Sequence, residues 1–331
     1  MKPTTAAKLS LFAGLGIFLL KGLAWYLTGS VALLSDALES TVNVVAAAAA
    51  LAALTVAARP ADANHTFGHS KAEYLSAVFE GVLVAAAAVA IVHQAVLRLG
   101  SPRVLSDLGN DLGWGLGISA ATAVLNGCLA AYLLRLGRAR RSPALVADGA
   151  HIATDVVTTA GVLLGIGLAW LTGWWILDPL LALAVAAHVL WTGTRLVRDS
   201  VGGLMDEALP EDELQGLKEV LARQREGVLE IHDIKTRRSG RFPFVQFHLV
   251  VSGEMSVDRA HDLCDGLEEE LRSVLPEAQV LIHVEPDSEV EHRGIRFSHH
   301  GERRNGGTGR HREEENREGA HRDEPNREEP A

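Results

Sequence analysis

Asp36-Ala-Leu-Glu39-Ser-Thr-Val-Asn43-Val-Val and Asp148-Gly-Ala-His151-Ile-Ala-Thr-Asp155-Val-Val stand 112 residues apart, each inside a long apolar run. In both stretches the three polar members fall at i, i+3 and i+7, which places them on one face of a helix. Ionisable side chains within an apolar span are costly and usually face the interior of a helix bundle. Two apolar runs, 75–98 and 112–136, lie between the matched stretches, so their helices run in opposite directions. That is the plan of an inverted 3+3 repeat, with a binding site near the middle of the membrane.

Working outward, six runs are long enough for the ~20 apolar residues that a helical span needs. They are residues 9–29, 31–57, 75–98, 112–136, 144–171 and 174–197. The first is too long for the apolar core of a cleavable leader, and five more follow it. Residues 1–198 hold 13 Lys and Arg against 10 Asp and Glu, whereas residues 199–331 hold 18 against 31. A membrane domain followed by a water-exposed domain explains that split, and the acidic second half excludes a nucleic-acid partner. The only cysteines, Cys128 and Cys264, give no disulfide framework. Lys2, Lys8, Arg59, Lys71, Arg135, Arg138, Arg140, Arg141, Arg195 and Arg198 flank one side, and Arg98 and Arg103 the other. The positive-inside rule then puts both termini in the cytoplasm, in a cell inner or plasma membrane.

Glu39, Asn43, His151 and Asp155 offer three oxygen side chains and an imidazole from two facing helices, a donor set for a divalent transition metal. The alternative is that they hold helices together by hydrogen bonds. Asp36 and Asp148, each a turn away, read as supports for the ligands or as helix-packing groups. Of the other polar residues at this depth, His93 and His188 read as groups that pack or hydrogen-bond between helices. Asp178 reads as a helix N-cap before Pro179. Glu80 lines a cytoplasmic vestibule or packs, and Lys21 snorkels or pairs with a carboxylate.

The loop between spans two and three carries Asp62, His65 and His69, residue types of a metal site. Beyond Leu204 the pattern turns soluble: a helix over 210–224, strands over 228–237 and 242–251, a helix over 256–275 and a strand over 279–285. The order αββαβ predicts a small α+β domain with helices on one face of its sheet. His232, His248, His261 and His283, with Glu285, lie on elements that must pack together and mark a second metal cluster. The division expected is 1–203 for the membrane, 204–290 for the α+β domain, and 291–331 for a polar tail too charged to bury a core. That tail holds five histidines, at positions 292, 299, 300, 311 and 321, and a solvated segment is the plainer reading of them.

Over residues 8–290 the chain resembles the cation diffusion facilitator family. The resemblance is carried by Gly29-Ser-Val-Ala-Leu-Leu-Ser-Asp36-Ala-Leu-Glu39-Ser, by Pro60-Ala-Asp-Ala-Asn-His-Thr-Phe-Gly-His-Ser-Lys-Ala-Glu73 and by His151-x-x-x-Asp155. Leu204-Met-Asp206-Glu-Ala-Leu-Pro210 and His232-Asp-Ile-Lys-Thr-Arg-Arg-Ser-Gly240 add to it. It implies a homodimeric, proton-coupled exporter of divalent metal in the lipid bilayer, with a metallochaperone-like cytoplasmic domain. It further implies that Glu39, Asn43, His151 and Asp155 form the transport site and that Asp62, His65 and His69 form a loop site. His232, His248, His261, His283 and Glu285 match a binuclear cytoplasmic site that helps join protomers, and Lys71 and Asp206 match an ion pair between domains. Family transport sites usually carry Asp or His at the positions of Glu39 and Asn43, so with a neutral His151 this site holds −2 and not −3. Glu285 stands where Asp is more usual.

Zn²⁺ suits the histidine cluster, while the altered transport site also admits Fe²⁺, Co²⁺, Ni²⁺, Cd²⁺ and Mn²⁺. Alternating access follows, with protons and metal competing for deprotonated ligands and His151, of unperturbed pKa about 6.5, as the coupling group. The rival is a membrane metal sensor or scaffold, which has no need of ligands inside the membrane. A membrane metallohydrolase lacks a recognisable base.

Overall fold

The computed structural model describes residues 2–28, 31–100, 112–174, 176–223, 225–291 and 294–297. The expected disordered tail lies, from residue 298 on, outside the described residues. Six long helices come first: α1 (Pro3–Thr28), α2 (Val31–Ala57), α3 (Ala72–Gly100), α4 (Leu112–Arg140), α5 (Pro143–Thr172) and α6 (Leu177–Leu204). Among the described residues, five of them carry an apolar stretch long enough to cross a membrane. The sixth, α5, has 30 residues, ample length for a span of ~20, and carries the polar face read above. The helices therefore form a transmembrane bundle.

The bundle interior is built from small side chains. Ala6, Ala7, Ala46, Ala50, Ala77, Ala88, Ala144, Ala147 and Ala186 are fully buried, while Phe12, Tyr26, Val89, Leu164 and Trp191 point outward. With lipid as apolar as leucine, helix association depends on close backbone approach, which small residues permit. The closest approach is between α3 and α6. A Cβ on Gly193 would stand 2.8 Å from Ala85 N and 3.0 Å from the Gly81 carbonyl oxygen. α2 spans the expected 31–57, whereas α1, α3, α4, α5 and α6 run on past the apolar core at one or both ends. At α6 the cap reading is corrected: the helix begins at Leu177 with Ile176 as N-cap and no capping side chain, so Asp178 and Pro179 lie within its first turn.

The chain continues into α7 (Glu211–Leu221), β1 (Val228–Ser239), β2 (Phe242–Val251), α8 (Val257–Val274), β3 (Gln279–Pro286) and a 3₁₀ turn at Asp287–Glu289. A two-residue strand, β4 (Ile295–Arg296), closes the domain and is too short to show alternation in sequence. The sheet order is β3-β2-β1-β4. β1 and β2 are an antiparallel hairpin turned at Gly240 (φ 56°), and β3 runs parallel to β2 after the α8 crossover. Ile231, Val245, Phe247, Leu249 and Val251 face the helices and pack on Leu217, Leu221, Leu267 and Leu271. The alternate positions, among them Gln246, His248 and His283, occupy the opposite face.

Candidate metal centres

Among the described residues, three groups of ligand-type side chains assemble. In the bundle, Asn43 on α2 faces His151 and Asp155 on α5. Asn43 Nδ2 donates to Asp155 Oδ2, and Asn43 Oδ1 lies 3.0 Å from His151 Nε2. Since the amide nitrogen is engaged by Asp155, its oxygen must accept, so Nε2 carries the imidazole proton. Nδ1 is then a lone pair, and it is buried without a partner. His151 is 4% exposed. The side chains of Asp36 and Glu39 lie outside the described residues, although their backbone belongs to α2. Asp148 is buried but makes no hydrogen bond to His151, and its Oδ2 has no hydrogen-bond partner. His93 and His188 sit on the outer surface of the bundle, His188 beside Trp191, which corrects their reading as interhelical packing groups.

In the loop between α2 and α3, Asp62 Oδ1 accepts from the backbone N–H of Asn64 (2.9 Å) and His65 (2.7 Å). The His65 bond is the main cause that holds this carboxyl below its ordinary value of 3.8. Its other oxygen lies 3.3 Å from His69 Nε2, and the two imidazole centroids are 4.4 Å apart. Donor atoms of Asp62, His65 and His69 all fall within 4.8 Å of one another. With Nε2 turned to a carboxylate, His69 Nδ1 carries the lone pair, and it is buried with no hydrogen-bond partner.

The third group follows from strand register. His232 on β1 pairs with His248 on β2, and His248 pairs with His283 on β3. One row across the sheet therefore puts three imidazoles on the face away from the helices, with ring centroids 5.2 and 4.9 Å apart. Glu285, two residues past His283 and so on the same face, reaches His248 Nδ1 at 2.9 Å and His232 Nε2 at 3.2 Å. A shift in register after His232, where Asp233 adopts φ 49°, ends the row. His232, His248 and Glu285 bring donor atoms within 4.8 Å of one another, and His232 Nδ1 lies 3.4 Å from Glu230 Oε1. Nitrogen and carboxylate donors gathered this closely fit a borderline metal such as zinc. His283 Nε2 is 3.6 Å from Glu285 Oε1 and largely exposed. His261 stands apart on α8, largely exposed and 3.8 Å from Asp265. It borders a cleft of 630 Å³ at the β3 edge that Glu285 also lines.

Between the loop and the sheet lies a junction that the sequence showed only in part. Lys71 Nζ is 2.8 Å from Asp206 Oδ1 and donates to the Leu204 carbonyl at 3.2 Å. Arg237 reaches the same Asp206 oxygen at 3.1 Å and lies over Phe244 (4.3 Å) and Phe67 (5.4 Å). The Lys71 hydrogen bond, ahead of Arg237, holds Asp206 below its ordinary 3.8. Glu213 takes Arg141 at 3.0 Å and Arg238 besides, and Ser70 Oγ meets Ser239 Oγ at 2.7 Å. Arg237 and Arg238 lie inside the quoted His232–Gly240 motif. Two adjacent cations on a strand of an acidic domain were the available signal.

Residues 7–205 match the model of the cation efflux transmembrane domain, and residues 209–287 match that of the cation efflux protein cytoplasmic domain. The chain belongs to the cation diffusion facilitator family. Facilitators of this family are transporters of divalent cations, and this chain is an integral membrane protein of cation efflux. An uncharacterized transporter of Synechocystis sp. is 46% identical over 280 residues, covering 85% of this chain and 89% of that one. The cation-efflux pump FieF of Serratia proteamaculans is 34% identical over 274 residues, 83% of this chain and 89% of the pump. Among solved structures, the metal-bound C-terminal domain of the CzcD transporter from Thermotoga maritima is 33% identical, with TM-score 0.23, covering 24% of this chain and 93% of that one.

Proposed function

We propose that this facilitator is a proton-coupled antiporter that exports divalent transition metals, Zn²⁺ foremost, from the cytoplasm by alternating access. It works as a homodimer in the inner or plasma membrane, with both termini cytoplasmic. Residues 1–203 carry transport, 204–290 bind metal and join protomers, and 291–331 form a polar tail. The observation that carries the reading is the part-buried Asn43–His151–Asp155 chain, which ties α2 to α5 and leaves a buried lone pair on His151 Nδ1. These three, with Glu39, are the transport ligands.

The cycle begins when cytoplasmic cation displaces protons from the ligands, which must be deprotonated to bind it. Rocking of the two three-helix repeats then opens the site to the far side. There, protonation of His151 and Asp155 removes two donors and the cation leaves. Loss of the cation lets Asn43 reclaim both bonds and close the site. Asp62, His65 and His69 in the loop, and His232, His248, His283 and Glu285 on the sheet with His261, would hold resident metal. Bound there, metal supplies a cross-link between elements that otherwise meet through side chains. The basic loop ends around Arg59, Lys71 and Arg141 favour a cytoplasmic loop side. FieF is named a cation-efflux pump, and one solved relative, CzrB, was studied in a Zn form.

Inside-out vesicles with an imposed pH gradient test this. The wild type accumulates Zn²⁺ in proportion to the gradient, and His151→Ala with Asp155→Ala abolishes uptake. Unchanged uptake in the double variant would sink the transport site. Metal binding without flux in the wild type would select the sensor.

A further inference from the structure

A small cavity in the bundle adjoins the transport ligands. Its volume is 10 Å³, and its polar wall is made by Ser10 of α1, Ser40 and Asn43 of α2, and Asn126 of α4. Ser10, Ser40 and Asn126 are 1%, 2% and 8% exposed. Ser10 Oγ is buried with no hydrogen-bond partner, and the Asn126 amide makes no side-chain hydrogen bond among the described residues. An amide so placed has two N–H donors and an acceptor oxygen to satisfy. α5 adds Ile152, the chain neighbour of His151, to the wall.

Asn43 belongs both to this wall and to the Asn43–His151–Asp155 chain. Its Nδ2 gives one hydrogen to Asp155 and its Oδ1 accepts from His151, which leaves a second amide hydrogen and a second lone pair. The cavity volume suits about one water molecule, and a buried water takes about two to four polar partners. Asn43, Ser10, Ser40 and Asn126 offer them from three helices. A water hydrogen-bonded to Asn43 Oδ1 stands about 3 Å from it. Neighbouring oxygens around an octahedral ion with bonds of about 2.1 Å are the same distance apart. Such a water therefore occupies the place of a further oxygen ligand once the Asn43 oxygen turns to a cation.

We propose that Asn126 is a specificity-determining residue of the transport site: with Ser10 and Ser40 it holds a water against Asn43, and that water is the added oxygen ligand of cations that take more than four. Zn²⁺ takes four ligands in most protein sites, whereas Mn²⁺ prefers six, mostly oxygens. Glu39, Asn43, His151 and Asp155 by themselves suit the first. The water opens the site to the second. A water that gives a lone pair to a divalent cation becomes a stronger hydrogen-bond donor. Ser10 Oγ and Asn126 Oδ1 are the oxygens at hand to receive its hydrogens. This rests on the transport-site reading and adds to it a residue of α4, a helix that supplies none of the four ligands.

The test measures gradient-driven Zn²⁺ uptake into inside-out vesicles at rising Mn²⁺, so that the inhibition constant of Mn²⁺ is read against the KM of Zn²⁺ in one preparation. In the wild type Mn²⁺ should compete with Zn²⁺. Asn126→Leu, close to the same size but apolar, should raise the Mn²⁺ constant about tenfold relative to the Zn²⁺ KM, the weight of one hydrogen-bonded ligand. Asn126→Ser, which keeps a polar group and room for the water, should stay near the wild-type ratio. If Asn126→Leu does not reach the membrane, Ser10→Ala is read in its place, with a shift in the same direction. An unchanged ratio in Asn126→Leu and Ser10→Ala overturns the proposal. So does equal weakening of both cations, which would make Asn126 a packing group, and so does a wild type that Mn²⁺ does not inhibit. Absence of gradient-driven Zn²⁺ uptake in the wild type would instead overturn the antiport reading, and this proposal with it.

Discussion

Asn43 is the residue on which the transport site turns. Its amide is both donor and acceptor, so it satisfies Asp155 and sets the His151 tautomer without adding charge. Asn43→Asp would put a second carboxylate against Asp155 in the metal-free protein, while offering the cation a charged ligand. The variant should therefore have a lower Tm without metal and a larger Zn²⁺-induced rise in Tm than the wild type. Equal shifts in thermal unfolding would show that Asn43 is not a ligand. Asp206 is a residue-scale device of another kind, held at φ 59° and bonded by Lys71 and Arg237. Its folded carboxyl titrates below 3.8, so its contribution is present above that value and is lost as pH falls through the lowered one. Limited proteolysis around residue 206 should thus accelerate below about pH 4 in the wild type. Asp206→Asn should cut fast already at pH 7, and a pH-independent wild-type rate would refute the role.

At the scale of elements, α3 and α6 touch backbone to backbone. A methyl at Gly193 meets Ala85 N at 2.8 Å, an atom of the helix itself that cannot rotate aside. Gly193→Ala should cost about 1–3 kcal/mol, read as a lowered midpoint in denaturant titration of the detergent-solubilised protein. Gly16→Ala on α1, with nothing within 4 Å, is the control and should be neutral or slightly stabilising. An undiminished midpoint in Gly193→Ala would mean that the helices can part freely. The two polar faces, and with them α2 and α5, were legible in sequence because charge within an apolar run has few explanations. The ββα hairpin order was legible from alternation. The histidine cluster was legible as ligand types on elements that must pack together, but which members converge was not, since His232, His248 and His283 meet only through the strand register that also pairs Ile231 with Leu249. Nor was the pairing of Arg141 and Arg238 on Glu213, which joins three segments far apart in the chain.

For the whole molecule, the split between a sparsely charged bundle and an acidic second half places its ligand groups at three depths: inside the bundle, at the junction and on the sheet. The outermost is incomplete in one chain. His232, His248 and Glu285 converge, whereas His283 and His261 stay exposed beside Leu281, which is 62% exposed on the same face as the histidine row. A second copy is the natural source of the missing donors and of cover for that apolar surface. Dimerisation should then be linked to metal by mass action, since ions that bind only the paired form stabilise it. Sedimentation of the full-length protein in detergent should give a dimer about tenfold tighter in Zn²⁺ than in chelator, or about 1.4 kcal/mol. His283→Ala should erase that difference while leaving the chelator value unchanged. Because His283 is remote from the bundle ligands, its loss should spare gradient-driven uptake when assayed at saturating Zn²⁺. A dimer equally tight with and without metal would assign the histidine row to a single chain and remove the link between sheet and assembly.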